Sequence, residues 1–88
     1  MISRTVLISN KRGLHARASA KFVTLAAGLP VAVEVTKDGQ AVVGTSIMGL
    51  MMLGAAMGDS VTISAEGEGA DQAVTALADL VENKFGED

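Results

Sequence analysis

The chain has 88 residues and a formal net charge of −3, and 49% of its residues are hydrophobic. This length predicts one domain over residues 1–88, with a core just large enough to fold alone. The absence of cysteine and the single histidine exclude disulfides, thiolate metal sites and histidine-rich metal clusters. The most apolar stretch, residues 47–58, is shorter than the ~20 residues of a membrane-spanning helix, and the start lacks a signal-peptide pattern. We therefore expect a cytoplasmic protein without membrane insertion.

Charge is divided unevenly along the chain. Every charged residue before Glu34 is basic, so the N-terminal third carries +5 and the remainder carries −8. This asymmetry predicts a basic contact surface for an anionic ligand or an acidic partner, although a merely solvated surface would show the same pattern. The five basic residues are Arg4, Lys11, Arg12, Arg17 and Lys21.

The first half of the chain alternates strand and helix patterns. Ile2, Val6 and Ile8 alternate with other residues as in a half-buried strand, with Arg4 interrupting the apolar set. A loop over residues 10–13 leads to a helix over residues 16–27, with Ala18, Phe22, Leu25 and Ala26 on its apolar face. Gly28 ends this helix, and Pro30 prevents it from resuming.

The middle of the chain predicts a hairpin followed by a short helix. Residues 31–36 alternate as a second strand, and Asp38-Gly39 predicts a tight turn into a third strand over residues 40–43. The Ser46 hydroxyl is suited to cap a helix over residues 47–53, because it can accept a free N–H of the first turn.

The last third predicts a fourth strand and a long helix. Val61, Ile63 and Ala65 alternate with polar residues. A helical stripe of small and aliphatic residues follows: Ala70, Ala73, Val74, Leu77, Ala78 and Val81. The order βαββαβα predicts an α+β fold of two layers, with helices on one face of a mostly antiparallel sheet.

His15 is the first candidate for a chemical role, since it stands where the loop runs into the first helix. Backbone N–H groups and the helix dipole favour an anion at such a position. Arg17, two residues on, adds donors that match phosphate oxygens. The pattern therefore favours a phosphoryl site, while a cap or surface histidine is the blander alternative.

Two segments resemble the signature segments of the HPr family, the histidine-containing phosphocarriers of the bacterial phosphoenolpyruvate-dependent phosphotransferase system. They are Asn-Lys-Arg-Gly-Leu-His-Ala-Arg-Ala-Ser-Ala at residues 10–20 and Gly-Thr-Ser-Ile-Met-Gly-Leu-Met-Met-Leu-Gly at residues 44–54. The resemblance extends over essentially the whole chain. Ala18 departs from it, because the family very often has proline there, and Lys11-Arg12 adds positive charge. Neither departure removes a reacting atom.

The resemblance implies an open-faced β-sandwich, a four-stranded antiparallel sheet with three helices on one face. It implies that His15 accepts a phosphoryl group from enzyme I, on Nδ1, and passes it to a IIA-type protein. Arg17 and the N–H groups of Ala16 and Arg17 would share the phosphoryl charge. Ser46 would be a regulatory target of HPr kinase/phosphorylase. No carboxylate lies near His15 in sequence, and we expect no cofactor, metal or nucleic acid, and a monomer.

The methionine-rich helix is the second candidate surface. Leu50 and Leu53 are spaced to reach the core, which leaves Ile47, Met48, Met51 and Met52 at least partly exposed. Flexible methionines make adaptable contacts with several partners, although core methionines are the alternative. Because the family docks enzyme I and IIA proteins on this helix and the first helix, we predict apolar contacts at Ala16, Ala20, Ile47, Met48 and Met51, with Arg17 and Lys21 as the charged rim.

Two other functions fit the sequence less well than a phosphocarrier does. An acylphosphatase-like hydrolase would need an arginine and an asparagine in a glycine-rich loop, and that loop is missing here. A regulatory docking module without phosphotransfer leaves the His15–Arg17 spacing unexplained. Within the family, the protein would serve either sugar uptake or the nitrogen-related regulatory branch. The closing residues 85–88 and Ala18 lean towards the second.

Overall fold

The computed structural model describes residues 1–87; Asp88, the last residue of the predicted domain and of the closing segment, lies outside the described residues. The predicted order βαββαβα is confirmed, with one further short 3₁₀ turn after the last helix. The elements are β1 (Ile2–Leu7), α1 (Ala16–Ala27), β2 (Val33–Lys37), β3 (Gln40–Val43), α2 (Ile47–Met52), β4 (Ser60–Ala65), α3 (Ala70–Glu82) and the 3₁₀ turn (Lys84–Gly86).

The four strands form one antiparallel sheet in the order β1-β4-β2-β3. β4 is central: Val61 lies opposite Val6 of β1, and Ile63 lies opposite Val35 of β2. These four side chains are buried beneath the helices. The predicted α+β open-faced sandwich is therefore confirmed.

The two faces of the sheet differ because successive side chains of a strand point to opposite sides. On the uncovered face, the hydroxyls of Thr5 and Thr62 lie 2.9 Å apart and share a hydrogen bond.

Arg4, which interrupts the apolar pattern of β1, donates to the carboxylate of Glu82 at the end of α3, at 3.1 Å. An exposed pair of this kind stabilises little, but it explains why an arginine fits at this position.

The core is aliphatic and rich in alanine, as its composition predicts, and both phenylalanines of the chain lie in it. The predicted stripe of α3 is buried in full, and Phe22 of α1 packs in the same cluster. Phe85 is also buried, although it lies beyond the last long helix. This burial fixes the course of the chain after α3.

Three details differ from the sequence expectation. β2 extends from Val33 to Lys37, whereas the sequence predicts a strand over residues 31–36. It begins only at Val33 because this residue lies opposite Ala65, the last residue of β4, and the pairing of the two strands ends there. Ile2 is 41% exposed, since β1 is an edge strand in which only Val6 is buried. α2 ends at Met52, with Leu53 as its C-cap.

The predicted hairpin is confirmed at the Asp38-Gly39 turn. Both residues have positive φ, 50° and 82°, as the tight turns that match strand twist require. No helix within residues 1–87 is long and apolar enough to cross a membrane.

Candidate functional site

His15 is the N-cap of α1, so it has the capping role that the sequence analysis gave as an alternative. The backbone N–H of Arg17 donates to Nδ1 of His15 at 3.2 Å. Because a backbone N–H only donates, Nδ1 is an acceptor and carries its lone pair. No acidic residue lies in the first turn of the helix. Nδ1 therefore faces the positive end of α1.

The loop that presents His15 is tied to the segment after α2. Leu14 N–H donates to the carbonyl of Ala55 at 2.9 Å, and the Asn10 amide donates to the carbonyl of Gly13 at 2.8 Å. Gly13 has a φ of +64°, and a Cβ at this position would lie 2.3 Å from the Ala55 oxygen. Glycine is required here, both for its conformation and for this close approach.

Glu87 lies against His15, a contact that the sequence did not predict. Nε2 of His15 and Oε2 of Glu87 are 2.6 Å apart, and the Asn10 amide donates to Oε1 of Glu87 at 3.1 Å. The His15 side chain is only 20% exposed. The segment after α3 that carries Glu87 therefore covers one edge of the ring.

The contact also changes the ionisation of Glu87. The hydrogen bond with His15 lowers the pKa of the Glu87 carboxyl, and the hydrogen bond from Asn10 and the positive charge of Lys21 act in the same direction; partial burial opposes the shift. Glu87 is thus a carboxylate at neutral pH. It faces the one histidine of the chain.

The other residues predicted around His15 occupy different environments. Ala16 and Arg17 are exposed, and Ala20 is half-buried. The Arg17 guanidinium has no ion pair with another residue of the described chain. Lys21 is exposed, and its ammonium donates to the carbonyl of Phe85 at 2.7 Å.

Four side chains of α2 form an exposed apolar surface, which we call the methionine patch: Ile47, Met48, Met51 and Met52. Met48 is 71% exposed, whereas Leu50 and Leu53 are buried as predicted. The alternative of core methionines is therefore wrong for this helix. α1 packs against α2, so the patch lies on the element next to the His15 helix. Sequence reasoning overlooked Met57, which is also exposed in the loop after α2.

Ser46 caps α2, as predicted. Its Oγ accepts a hydrogen bond from Gly49 N–H at 3.0 Å, and its own carbonyl accepts from Leu50 N–H at 3.0 Å. The side chain is partly exposed. Within residues 1–87, no group of three or more histidine and acidic side chains is placed to hold a metal ion.

Comparisons with known proteins agree on one family. The family model described as PTS HPr component phosphorylation site matches residues 2–83. The phosphocarrier protein HPr of Cupriavidus necator is 45% identical over 87 residues, which cover 99% of this chain and 98% of the relative. The phosphocarrier protein NPr of Shewanella violacea is 37% identical over 86 residues, which cover 98% of this chain and 94% of the relative.

Solved structures agree with the sequence comparison. The crystal structure of HPr-C-His from Thermoanaerobacter tengcongensis is 46% identical and superimposes with a TM-score of 0.94, covering 100% of this chain and 99% of that one. The likeness in sequence and in fold thus extends over nearly the whole length of both chains. The chain is therefore a member of the HPr/NPr phosphocarrier family of the phosphotransferase system.

Proposed function

We propose that this protein is a phosphocarrier whose His15 accepts a phosphoryl group from phospho-enzyme I and passes it to a IIA-type protein. The observation that carries the proposal is the direction of Nδ1. Its lone pair faces the N-terminus of α1 and accepts from Arg17 N–H at 3.2 Å, which is a favourable place for an anion. Family membership favours this function over the acylphosphatase-like alternative.

The transfer step balances without a metal or a separate base. The Nδ1 lone pair of His15 forms a bond to phosphorus, while the bond between phosphorus and the donor atom of phospho-enzyme I breaks and its electron pair returns to that atom. No proton has to leave His15. Arg17 N–H then turns from Nδ1 to a phosphoryl oxygen, and the N–H of Ala16 and the Arg17 guanidinium share the remaining charge.

Arg17→Ala is expected to slow phosphoryl transfer without abolishing it. Losing one charge-assisted hydrogen bond costs about 1.5–3 kcal/mol, or roughly 10- to 150-fold in rate. Rapid-quench measurement of His15 phosphorylation checks this. Arg12→Ala is the matched control, because Arg12 is exposed in the preceding loop and also removes one positive charge. An unchanged rate in Arg17→Ala would mean that the backbone and the partner supply the stabilisation.

The methionine patch, with Ala16 and Ala20, is proposed to dock enzyme I and IIA proteins. The four patch side chains are exposed on a helix that packs against α1, so a partner seated there also reaches His15. Adaptable methionine contacts suit a surface that must accept a donor and an acceptor in turn. Arg17 and Lys21 supply positive charge at the rim of this surface. Lys21 also donates a hydrogen bond to the carbonyl of Phe85.

Ser46 is proposed as a regulatory phosphorylation site for HPr kinase/phosphorylase. A phosphate there adds about −2 charge at the N-terminus of α2, where the helix tolerates it, but beside the apolar patch. We expect Ser46→Asp to slow His15 phosphorylation through weaker association with enzyme I, while it melts near the wild-type temperature. Titration calorimetry and thermal denaturation measure the two effects.

Ser46→Ala is the control for the lost hydroxyl. It is expected to retain phosphotransfer and to lose about 0.5–2 kcal/mol of stability, since the bond to Gly49 N–H disappears. A normal transfer rate in Ser46→Asp would leave Ser46 with its capping role alone.

The IIA protein that accepts the phosphoryl group identifies the branch of the phosphotransferase system to which this protein belongs. The chain has similar relatives named HPr and NPr. We propose the nitrogen-related branch, on the Ala18 departure and the closing residues. Transfer from phosphorylated His15 to a nitrogen-related IIA protein, but not to a sugar-specific IIA protein, would support it; the opposite preference would assign the protein to sugar uptake.

A further inference from the structure

We propose that Glu87 is a positioning residue for His15: its carboxylate holds the imidazole proton on Nε2 and covers that nitrogen, so that Nδ1 is the atom that reacts. This inference rests on the proposed phosphocarrier function and assigns a new residue to it. The contact joins Nε2 and Oε2 at 2.6 Å. The two edges of the ring are thus occupied differently, since Nδ1 accepts from Arg17 N–H and Nε2 faces a carboxylate.

The protonation state of the ring follows from these two partners. Nδ1 accepts from Arg17 N–H and so carries no proton, while the Glu87 carboxylate, whose pKa is lowered, only accepts. Nε2 must therefore be the donor, and the neutral ring carries its proton there. A carboxylate that orients a histidine and selects its tautomer in this way occurs in enzymes and in metal sites.

The tail that carries Glu87 is built into the fold. Lys84, Phe85 and Gly86 all have positive φ, 58°, 55° and 77°, a conformation that costs energy for the two residues with side chains. Burial of Phe85 in the core and the hydrogen bond from Lys21 to its carbonyl offset this cost. The tail also bonds to itself, since Glu87 N–H donates to the carbonyl of Lys84 at 2.8 Å.

The other carboxylate oxygen of Glu87 is fixed from the loop before α1. Asn10 is fully buried, and its amide donates both to Oε1 of Glu87 and to the Gly13 carbonyl. The same side chain therefore links the tail with the loop that presents His15. Glu87 cannot turn away from the ring without breaking this link.

The Glu87 carboxylate also stabilises the phosphorylated ring. When Nδ1 bonds to phosphorus while Nε2 keeps its proton, the ring acquires a positive charge, and Glu87 lies where it stabilises that charge. On transfer to the next protein, the N–P bond breaks and its electron pair returns to Nδ1, which leaves a neutral imidazole. Keeping the proton on Nε2 thus serves both the acceptance and the release of the phosphoryl group.

Phosphoramidate tests the inference without any partner protein. This small donor phosphorylates histidine by releasing ammonia, and Nε2 is the nitrogen farther from the backbone and more accessible in an unrestrained side chain. We expect the wild-type protein to be labelled on Nδ1. In Glu87→Ala, the ratio of the Nε2 to the Nδ1 adduct should rise by roughly fivefold, the change that one hydrogen bond of ordinary strength supports. Two-dimensional ¹H–¹⁵N NMR of the labelled ring distinguishes the adducts.

Glu66→Ala is the matched control, because Glu66 is an exposed carboxylate in the loop after β4 and its loss changes the net charge equally. It should leave the adduct ratio unchanged. In the unlabelled protein, the Nε2–H proton signal should be protected from exchange in wild type and in Glu66→Ala, but not in Glu87→Ala.

Labelling of the wild type on Nε2, or the same adduct ratio in wild type and Glu87→Ala, would overturn the role of Glu87. Neither result would affect the proposed function, which is tested by transfer from enzyme I. Conversely, a protein that enzyme I cannot phosphorylate but that shows the Glu87-dependent ratio would refute the phosphocarrier function alone.

Discussion

His15→Ala is expected to accept no phosphoryl group from phospho-enzyme I and phosphoenolpyruvate, whereas the wild-type protein takes up one acid-labile, base-stable group. His15 is the one histidine of the chain, so no other side chain can form a phosphohistidine. Labelling with ³²P-phosphoenolpyruvate, followed by acid and base treatment, measures the uptake. We expect the loss to be complete, because the reacting atom itself is removed.

The fold should survive this substitution. The ring is partly exposed and lies outside the buried core, but it caps α1, so its removal costs about 0.5–2 kcal/mol. His15→Asn is the matched control: asparagine is a good N-cap and has no nucleophilic ring nitrogen. It should restore stability without restoring transfer.

Two outcomes would contradict the proposal. Uptake of phosphate by His15→Ala would place the phosphoryl group on a different atom. A His15→Ala variant that lost uptake but kept its full regulatory effect on partner proteins would favour the docking-module alternative.

Met48→Asp is expected to weaken binding to enzyme I by about 10- to 100-fold, since a charge in an apolar contact must be desolvated without a partner. Met48 is the most exposed member of the methionine patch. Its side chain contributes little to the core, so the melting temperature should change little. Titration calorimetry with enzyme I and thermal denaturation of the free protein give the two quantities.

Leu7→Asp is the matched control for this prediction. Leu7 is 54% exposed, but it lies on edge strand β1, next in sequence to the core residue Val6 and on the opposite side of the strand. The same change of charge there should leave enzyme I binding intact. Equal loss of affinity in both variants would show that net charge, and not the patch, governs docking.

Most elements of the fold were predictable because their signals are local. The bounds of α1 follow from its helix-forming composition between His15 and Gly28, and both bounds are confirmed. The Asp38-Gly39 turn sets the register of β2 and β3. The Ser46 cap depends on a hydrogen bond between residues only three positions apart, so the sequence pattern was sufficient to predict it.

The limits of strands were less predictable, since pairing partners decide them. Residues 31 and 32 have the same alternating pattern as the strand that follows, yet they lie outside β2 because β4 ends opposite Val33. Ile2 has the apolar side chain of a core residue, but it lies at the end of an edge strand. In both cases, the geometry of a neighbouring strand overrides the local pattern.

The sequence by itself determined the position of His15 at a helix start, the spacing to Arg17 and the exposed methionines, because each depends on helical periodicity within a few residues. Only the tertiary structure decided what faces the imidazole. Glu87 stands 72 positions from His15, and the contact exists because Phe85 is buried and Lys21 holds its carbonyl. No local pattern encodes such a contact, since it arises where the packing of the core brings together residues that are distant in sequence.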